Sequence, residues 1–334
     1  MKKRFFVVSL FMIMILSISC GGIELKYTKK KITLQDIDYG FNVKHADLGG
    51  QIGKIAYIDE GSGDKTLLFI HGIGNYAKYF YYQIKHFMKK YRVIAIDMPG
   101  YGKSSIIPET RYSMPFHISA VRKFIKKLNL KNLVIIGHSY GGGVAVGTSY
   151  YNKKIVKNAV FIAPLGLQKF NRATIDYVKQ NYQSLVAQRT KVNYNLDDFI
   201  NKWHEQYITR RTKITDDFLR EYLNIIYSRE IDKIAGTKNK VIRTGMKNTA
   251  NFQLRTMFKR MPFPVLIISG DNDKAIPMRE APQWTQENPE SFWRKIAGLN
   301  PKAKYKIIKN CGHIPVIEAP DTLNEIIEKF LVNN

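Results

Sequence analysis

The stretch "VIIGHSYGGGVA" occupies positions 134–145 and follows Leu133. Its apolar start reads as a short buried strand. Five residues, Gly137-His138-Ser139-Tyr140-Gly141, interrupt that run, and small residues continue to Ala145. A strand that must turn sharply into a helix needs room on both sides of the turn. Glycine supplies it two places before and two places after the serine. Gly142 and Gly143 would let the following helix approach its neighbours closely. The spacing G-x-S-x-G between a strand and a helix is that of a nucleophile elbow, which makes Ser139 the candidate nucleophile.

Working outward, strand-like and helix-like segments alternate, as expected for an α/β fold with a mostly parallel sheet. Positions 41–63 read as two strands joined at Gly49-Gly50. Further strands are expected within 66–72, 91–100, 132–139, 158–164, 263–273 and 303–313. Ile118, Val121, Phe124, Ile125 and Leu128 fall at helical spacing within 113–130. An amphipathic helix closes the chain after Pro320.

Between Pro164 and Met261 the strand pattern stops. Positions 165–255 are polar, lysine-rich and helical in period, with Asn195 and Thr215 where helix N-caps belong. They read as a helical cap inserted after the sixth strand. Its aromatics, Phe170, Tyr177, Trp203 and Tyr207 among them, could line an acyl pocket or simply pack the cap helices together. The expected organisation is therefore a core over 41–164, a cap over 165–255, and the rest of the core over 256–334.

The N-terminus reads as an address. Three basic residues follow Met1, an apolar run extends from Phe5 to about Leu16, and small residues lead to Cys20. That order is a secretory signal, and the run is shorter than the ~20 residues a membrane span needs. Leu16-Ser17-Ile18-Ser19-Cys20 resembles the lipobox of bacterial lipoproteins, although the strict pattern places leucine where Ser17 stands. The resemblance implies a signal over 1–19, lipidation at Cys20, a polar tether over 20–40, and a lipid-anchored protein of the cell membrane or outer membrane. Cys20 and Cys311 lie in unlike contexts, so no disulfide is expected between them.

The chain of 334 residues carries 53 Lys+Arg against 27 Asp+Glu, a formal charge of +26. These charges are scattered, with no run longer than three, and no nucleic-acid-binding motif or zinc spacing accompanies them. A solvated lysine-rich surface accounts for them, with attraction to an anionic membrane or acidic substrates as the alternative. No nucleic-acid partner and no obligate protein partner is expected.

The elbow, the alternating order and further motifs together resemble the α/β-hydrolase superfamily, in its cap-bearing serine esterase and lipase branch. The similarity covers about positions 41–332. It implies an acid and then a histidine after the nucleophile. His313, in "NCGHIPVIEAP", stands after the last strand, where the family keeps its base. Gly270, Asp273 and Pro277 fit the family's acid motif, which implies Asp273, with Asp271 as the alternative. "FIHGIGN" (69–75) is similar to the oxyanion loop, implying the N–H groups of Ile73 and Tyr140 as oxyanion donors. "DMPGYGKSS" (97–105) resembles a structural D-x-x-G-x-G-x-S segment, with local hydrogen bonds from Asp97 and Ser104. Ser139 argues against the relatives that carry aspartate at the elbow, the epoxide hydrolases and haloalkane dehalogenases.

The resemblance implies a hydrolase of carboxylic esters, working on a small-molecule ester or lipid through an acyl-enzyme, without a metal or organic cofactor. A hydrolase of carbon–carbon bonds or lactones is the alternative within the fold. A non-catalytic surface lipoprotein is the alternative of another class, though a binding module has no need of Ser139, an acid and His313 in that order.

Overall fold

The computed structural model describes residues 33–106, 112–168, 201, 204–226, 253–275 and 288–334. The signal region with Cys20, the cap residues Asn195, Phe170, Tyr177 and Trp203, and Pro277 lie outside the described residues. Among the described residues no helix is long and apolar enough to cross a membrane.

Eight strands form one sheet: β1 (Val43–Asp47), β2 (Lys54–Glu60), β3 (Thr66–Ile70), β4 (Arg92–Ile96), β5 (Leu133–His138), β6 (Val156–Ile162), β7 (Val265–Gly270) and β8 (Ala303–Ile308). Their order across the sheet is β1-β2-β4-β3-β5-β6-β7-β8. The pairs β1–β2 and β2–β4 are antiparallel, and every later pair is parallel. The central strands are apolar on both faces because helices cover both. Alternate residues go opposite ways: Leu68, Ile135, Phe161 and Ile267 pack on one side, and Phe69, Val134, Val160 and Leu266 on the other. The edge strand β8 instead exposes Lys304 and Lys306. Charge of that kind discourages pairing with another chain.

The first face is covered by α2 (Met114–Lys127), α3 (Ser139–Tyr151), α5 (Leu254–Lys259) and α6 (Pro289–Ala297). The second is covered by a 3-10 turn (Ala77–Phe80), α1 (Tyr81–Phe87), α7 (Pro315–Glu318) and α8 (Pro320–Val332). Ser113 caps α2 by accepting the Phe116 N–H at 3.3 Å. Within the inserted segment, residues 204–207 are helical and α4 spans Lys213–Ile226.

Three expectations are revised, and two helices are added. The body begins before residue 41, because Leu34, Ile37 and Tyr39 of the supposed tether are buried in the core of the second face. Their apolar side chains are spaced among polar neighbours, which hides them in a composition reading. Helix α4 starts two residues ahead of Thr215: Thr212 is the cap, and the two threonines exchange bonds from each N–H to the other's hydroxyl at 2.8 and 3.2 Å. Helix α5 packs on α3 and starts at Leu254, inside the expected cap range. Helices α1 and α6 had no counterpart in the sequence reading.

Candidate active site

Ser139 stands at the junction of β5 and α3 with φ +53°, the left-handed region that a side chain rarely occupies. The glycines around it keep ordinary φ values and serve for space. A Cβ on Gly137 would come within 2.3 Å of the Gly141 oxygen, and one on Gly141 within 2.2 Å of the His71 oxygen. Gly142 and Gly143 similarly face Pro164 and Leu165 at the end of β6. The glycines thus let β5, α3 and the loop after β3 meet at the strained serine.

The loop after β8 brings His313 over it. His313 Nε2 lies 3.0 Å from Ser139 Oγ. On the other edge of the ring, Nδ1 lies 2.9 and 3.1 Å from the two carboxylate oxygens of Asp273, on the loop after β7. A carboxylate only accepts, so Nδ1 carries the proton and Nε2 is free to accept from the serine hydroxyl. Asp273 is fully buried and also accepts the Ala275 N–H at 2.9 Å. Asp271 has another partner: its carboxylate accepts the Cys311 N–H at 3.2 Å and braces the histidine loop. Of the two aspartates, Asp273 is the one that meets the ring.

Three other histidines surround the site, each neutral and each locked in one tautomer. His71 Nε2 accepts the Met98 N–H at 3.0 Å, so its Nδ1–H donates to the Gly72 oxygen at 2.8 Å. Burial lowers its pKa to about 3. A trans peptide sets its C=O and N–H on opposite sides. With the Gly72 oxygen held by His71, the N–H of Ile73 faces the other way. Gly72 itself lies against the nucleophile, since a Cβ there would be 3.3 Å from Ser139 Cβ. His138 donates from Nε2 to the His313 oxygen at 2.9 Å and accepts the Tyr79 hydroxyl at Nδ1, 3.1 Å away. Burial holds its pKa well below the usual histidine range. His117 donates from Nε2 to the Pro99 oxygen at 3.1 Å and accepts the Tyr140 hydroxyl at Nδ1 at 2.9 Å. Burial lowers its pKa to about 4.

Asp97 stands away from the reacting atoms. It accepts N–H groups of Ala77 and Lys103 at 2.6 and 2.7 Å and the Tyr39 hydroxyl at 2.8 Å. Ser104 donates to its backbone oxygen at 2.7 Å. Cys311 is buried and free, and burial pushes its thiol pKa up.

The sequence reading missed Tyr79 and Glu318, and it named Tyr207 only as a cap aromatic. The Tyr207 oxygen accepts the His313 N–H at 2.9 Å, and the Glu318 carboxylate accepts the Gly312 N–H at 3.0 Å. Glu318 had a readable signal: it is the one carboxylate in the apolar run from Ile314 to Pro320.

The fold, the strained elbow serine and the aligned histidine are those of an alpha/beta hydrolase. The family model for the alpha/beta hydrolase fold matches residues 65–320, and the chain belongs to that family. It is 26% identical over 290 residues to 2-hydroxy-6-oxo-6-(2'-aminophenyl)hexa-2,4-dienoic acid hydrolase of Metapseudomonas resinovorans, covering 82% of this chain and 86% of that protein. It is 24% identical over 276 residues to a provisionally named esterase/lipase of Mycoplasma pneumoniae, covering 80% and 89%. Among solved structures, a provisionally assigned lipase from Acinetobacter baumannii superposes with a TM-score of 0.69 at 25% identity, covering 88% of this chain and 92% of that one.

Proposed function

We propose that the protein is a serine hydrolase of carboxylic esters, with Ser139 as nucleophile, His313 as general base and acid, and Asp273 as the carboxylate that orients the base. The observation that carries this reading is the line of contacts from Asp273 through His313 to Ser139, at 2.9 and 3.0 Å. A serine hydroxyl is a weak nucleophile near neutral pH, and a correctly oriented imidazole removes that obstacle.

Ser139 Oγ attacks the ester carbonyl while its proton passes to His313 Nε2. Asp273, already bonded to Nδ1–H, stabilises the imidazolium. The N–H groups of Ile73 and Tyr140 hold the oxyanion. His71 supports this by holding the Gly72 oxygen, which turns the Ile73 N–H to the opposite side of that peptide, and α3 supports it by starting at Ser139. One such donor is typically worth about 3 kcal/mol in the transition state. Collapse of the intermediate breaks the ester C–O bond, and His313 protonates the departing alcohol. Water, deprotonated by His313, then attacks the acyl-enzyme and releases the acid.

The test is hydrolysis of p-nitrophenyl esters of graded chain length, with Ser139→Ala in parallel. Activity that falls by roughly 10⁴-fold or more in the variant is expected. A folded wild-type protein inert on every chain length would overturn the ester reading.

A second reading, hydrolysis of carbon–carbon bonds or lactones, is favoured by the similarity to the dienoic acid hydrolase. Turnover of a dienoic acid chromophore without ester turnover would select it. For location, the signal-like N-terminus supports export and a lipid anchor at Cys20, with a multiply acylated cysteine gaining about 0.8 kcal/mol per buried methylene. Cys20→Ala should then move the protein from the membrane fraction to the soluble one.

A further inference from the structure

The loop that carries His313 is held by the inserted segment as well as by the sheet. Its two successive amides at Gly312 and His313 both bond to partners outside the loop. The His313 N–H bonds the Tyr207 oxygen at 2.9 Å, and the Gly312 N–H bonds Glu318 Oε2 at 3.0 Å. The other oxygen, Glu318 Oε1, takes the N–H groups of Thr209 and Arg210 at 2.9 and 2.7 Å. Arg210 Nη2 then closes back on the Glu318 backbone oxygen at 3.1 Å.

One carboxylate therefore joins segments more than 100 residues apart in sequence. It does so at 1% exposure, where each lost donor leaves an uncompensated charge. There is no slack in the joint. A Cβ on Gly312 would be 2.4 Å from the Tyr207 oxygen and 3.2 Å from Glu318 Oε2. Burial raises the pKa of Glu318, while the three amides and the charge of Arg210 oppose the rise.

We propose that Glu318 is a positioning residue that couples seating of the inserted segment at 207–210 to the placement of His313 over Ser139. The base keeps its place over Ser139 as long as residues 207–210 hold the loop. This inference rests on the reading of His313 as the catalytic base.

The test uses the full chain with a short substrate, p-nitrophenyl acetate, and a fluorophosphonate that labels Ser139. Glu318→Gln keeps shape but must turn an NH2 toward one of the three N–H donors. The variant should stay folded and lose about 10- to 100-fold in kcat, as a misplacement near 1 Å does, with KM within about 3-fold. Phosphonylation of Ser139 should slow in proportion. An unchanged kcat in the folded variant, or a loss confined to KM, overturns the proposal. Should the variant not fold, native-state hydrogen exchange of the wild-type chain decides: the amides of Gly312, Thr209 and Arg210 should open together, and independent opening overturns the coupling. Absence of both ester turnover and labelling in the wild type would instead count against the hydrolase reading, and exchange would still decide whether the joint exists.

Discussion

The loops after β4 and β7 each carry, near their start, an aspartate sealed completely from solvent, yet the two carboxylates are built into unlike surroundings. Asp97 is surrounded by two backbone N–H groups and a tyrosine hydroxyl, none of which changes charge near neutral pH. Asp273 spends both oxygens on the imidazole of His313, the one partner in the pair of loops that can take up a proton. Burial alone therefore does not tell the two carboxylates apart. The first works as a staple whose energy goes into the fold. The second holds a ring in one tautomer and is poised to answer a new positive charge.

The largest expected effect follows from replacing the second carboxylate. Asp273→Asn should leave the protein folded and lower kcat by about 10⁴-fold, because the amide stabilises neither the productive tautomer nor the imidazolium. Steady-state kinetics beside thermal melting checks both halves, and a loss under about 10-fold would break the contrast. Asp97→Asn should do the reverse. It turns an NH2 toward a buried N–H, costs about 3 kcal/mol of stability, and leaves kcat of the folded fraction within about 3-fold. Chemical denaturation with activity normalised to folded protein measures it.

The same variant sharpens the comparison through pH. Burial raises the Asp97 pKa to about 6, above the 3.8 of an exposed aspartate. The folded state then binds the proton more readily than the unfolded one. The contribution of Asp97 is full below the unfolded pKa and is lost as pH rises through about 6. Wild type should gain on Asp97→Asn by about 2 kcal/mol between pH 7 and pH 4, because each tenfold difference in proton affinity between the two states is worth roughly 1.4 kcal/mol. Denaturation curves across that range that stay parallel would refute it.

The smallest effect concerns Cys311, two residues before His313 on the same loop. It is buried, and its thiol is raised by that burial and then by Glu318 and Asp273. Alkylation of Cys311 in the native protein, followed by peptide mass spectrometry, should be slow. Cys311→Ala should alter kcat by less than about 3-fold, since the contact of Asp273 with His313 does not pass through the sulfur. Rapid labelling would mean that this loop is more open than the one after β4.

Much of the fold was legible because it is local. A buried parallel strand is a short apolar run, and the runs ending at Ile70, Ile96, His138, Ile162 and Gly270 stand out one by one. The elbow is five consecutive residues, so spacing alone located Ser139. The helix Tyr81–Phe87 is one short aromatic-rich stretch, whereas Pro289–Ala297 sets Phe292, Trp293, Ile296 and Ala297 at helical spacing, a signal that was there to be read. Leu34, Ile37 and Tyr39 read as part of a tether because their partners lie across the fold, Tyr39 meeting Asp97.

By itself the sequence determined the class of fold, the strained turn at Ser139, and a short set of residues able to serve it: two aspartates and the histidine after the last strand. Only the tertiary structure brought Asp273 rather than Asp271 to the His313 ring, bonded the Gly72 carbonyl to His71, and tied Glu318 to residues 209 and 210. The physical reason is range. Strand, turn and glycine spacing are properties of neighbouring residues, whereas a hydrogen bond between His313 and Ser139 joins side chains 174 positions apart. Its length depends on where the packed sheet sets the ends of two strands.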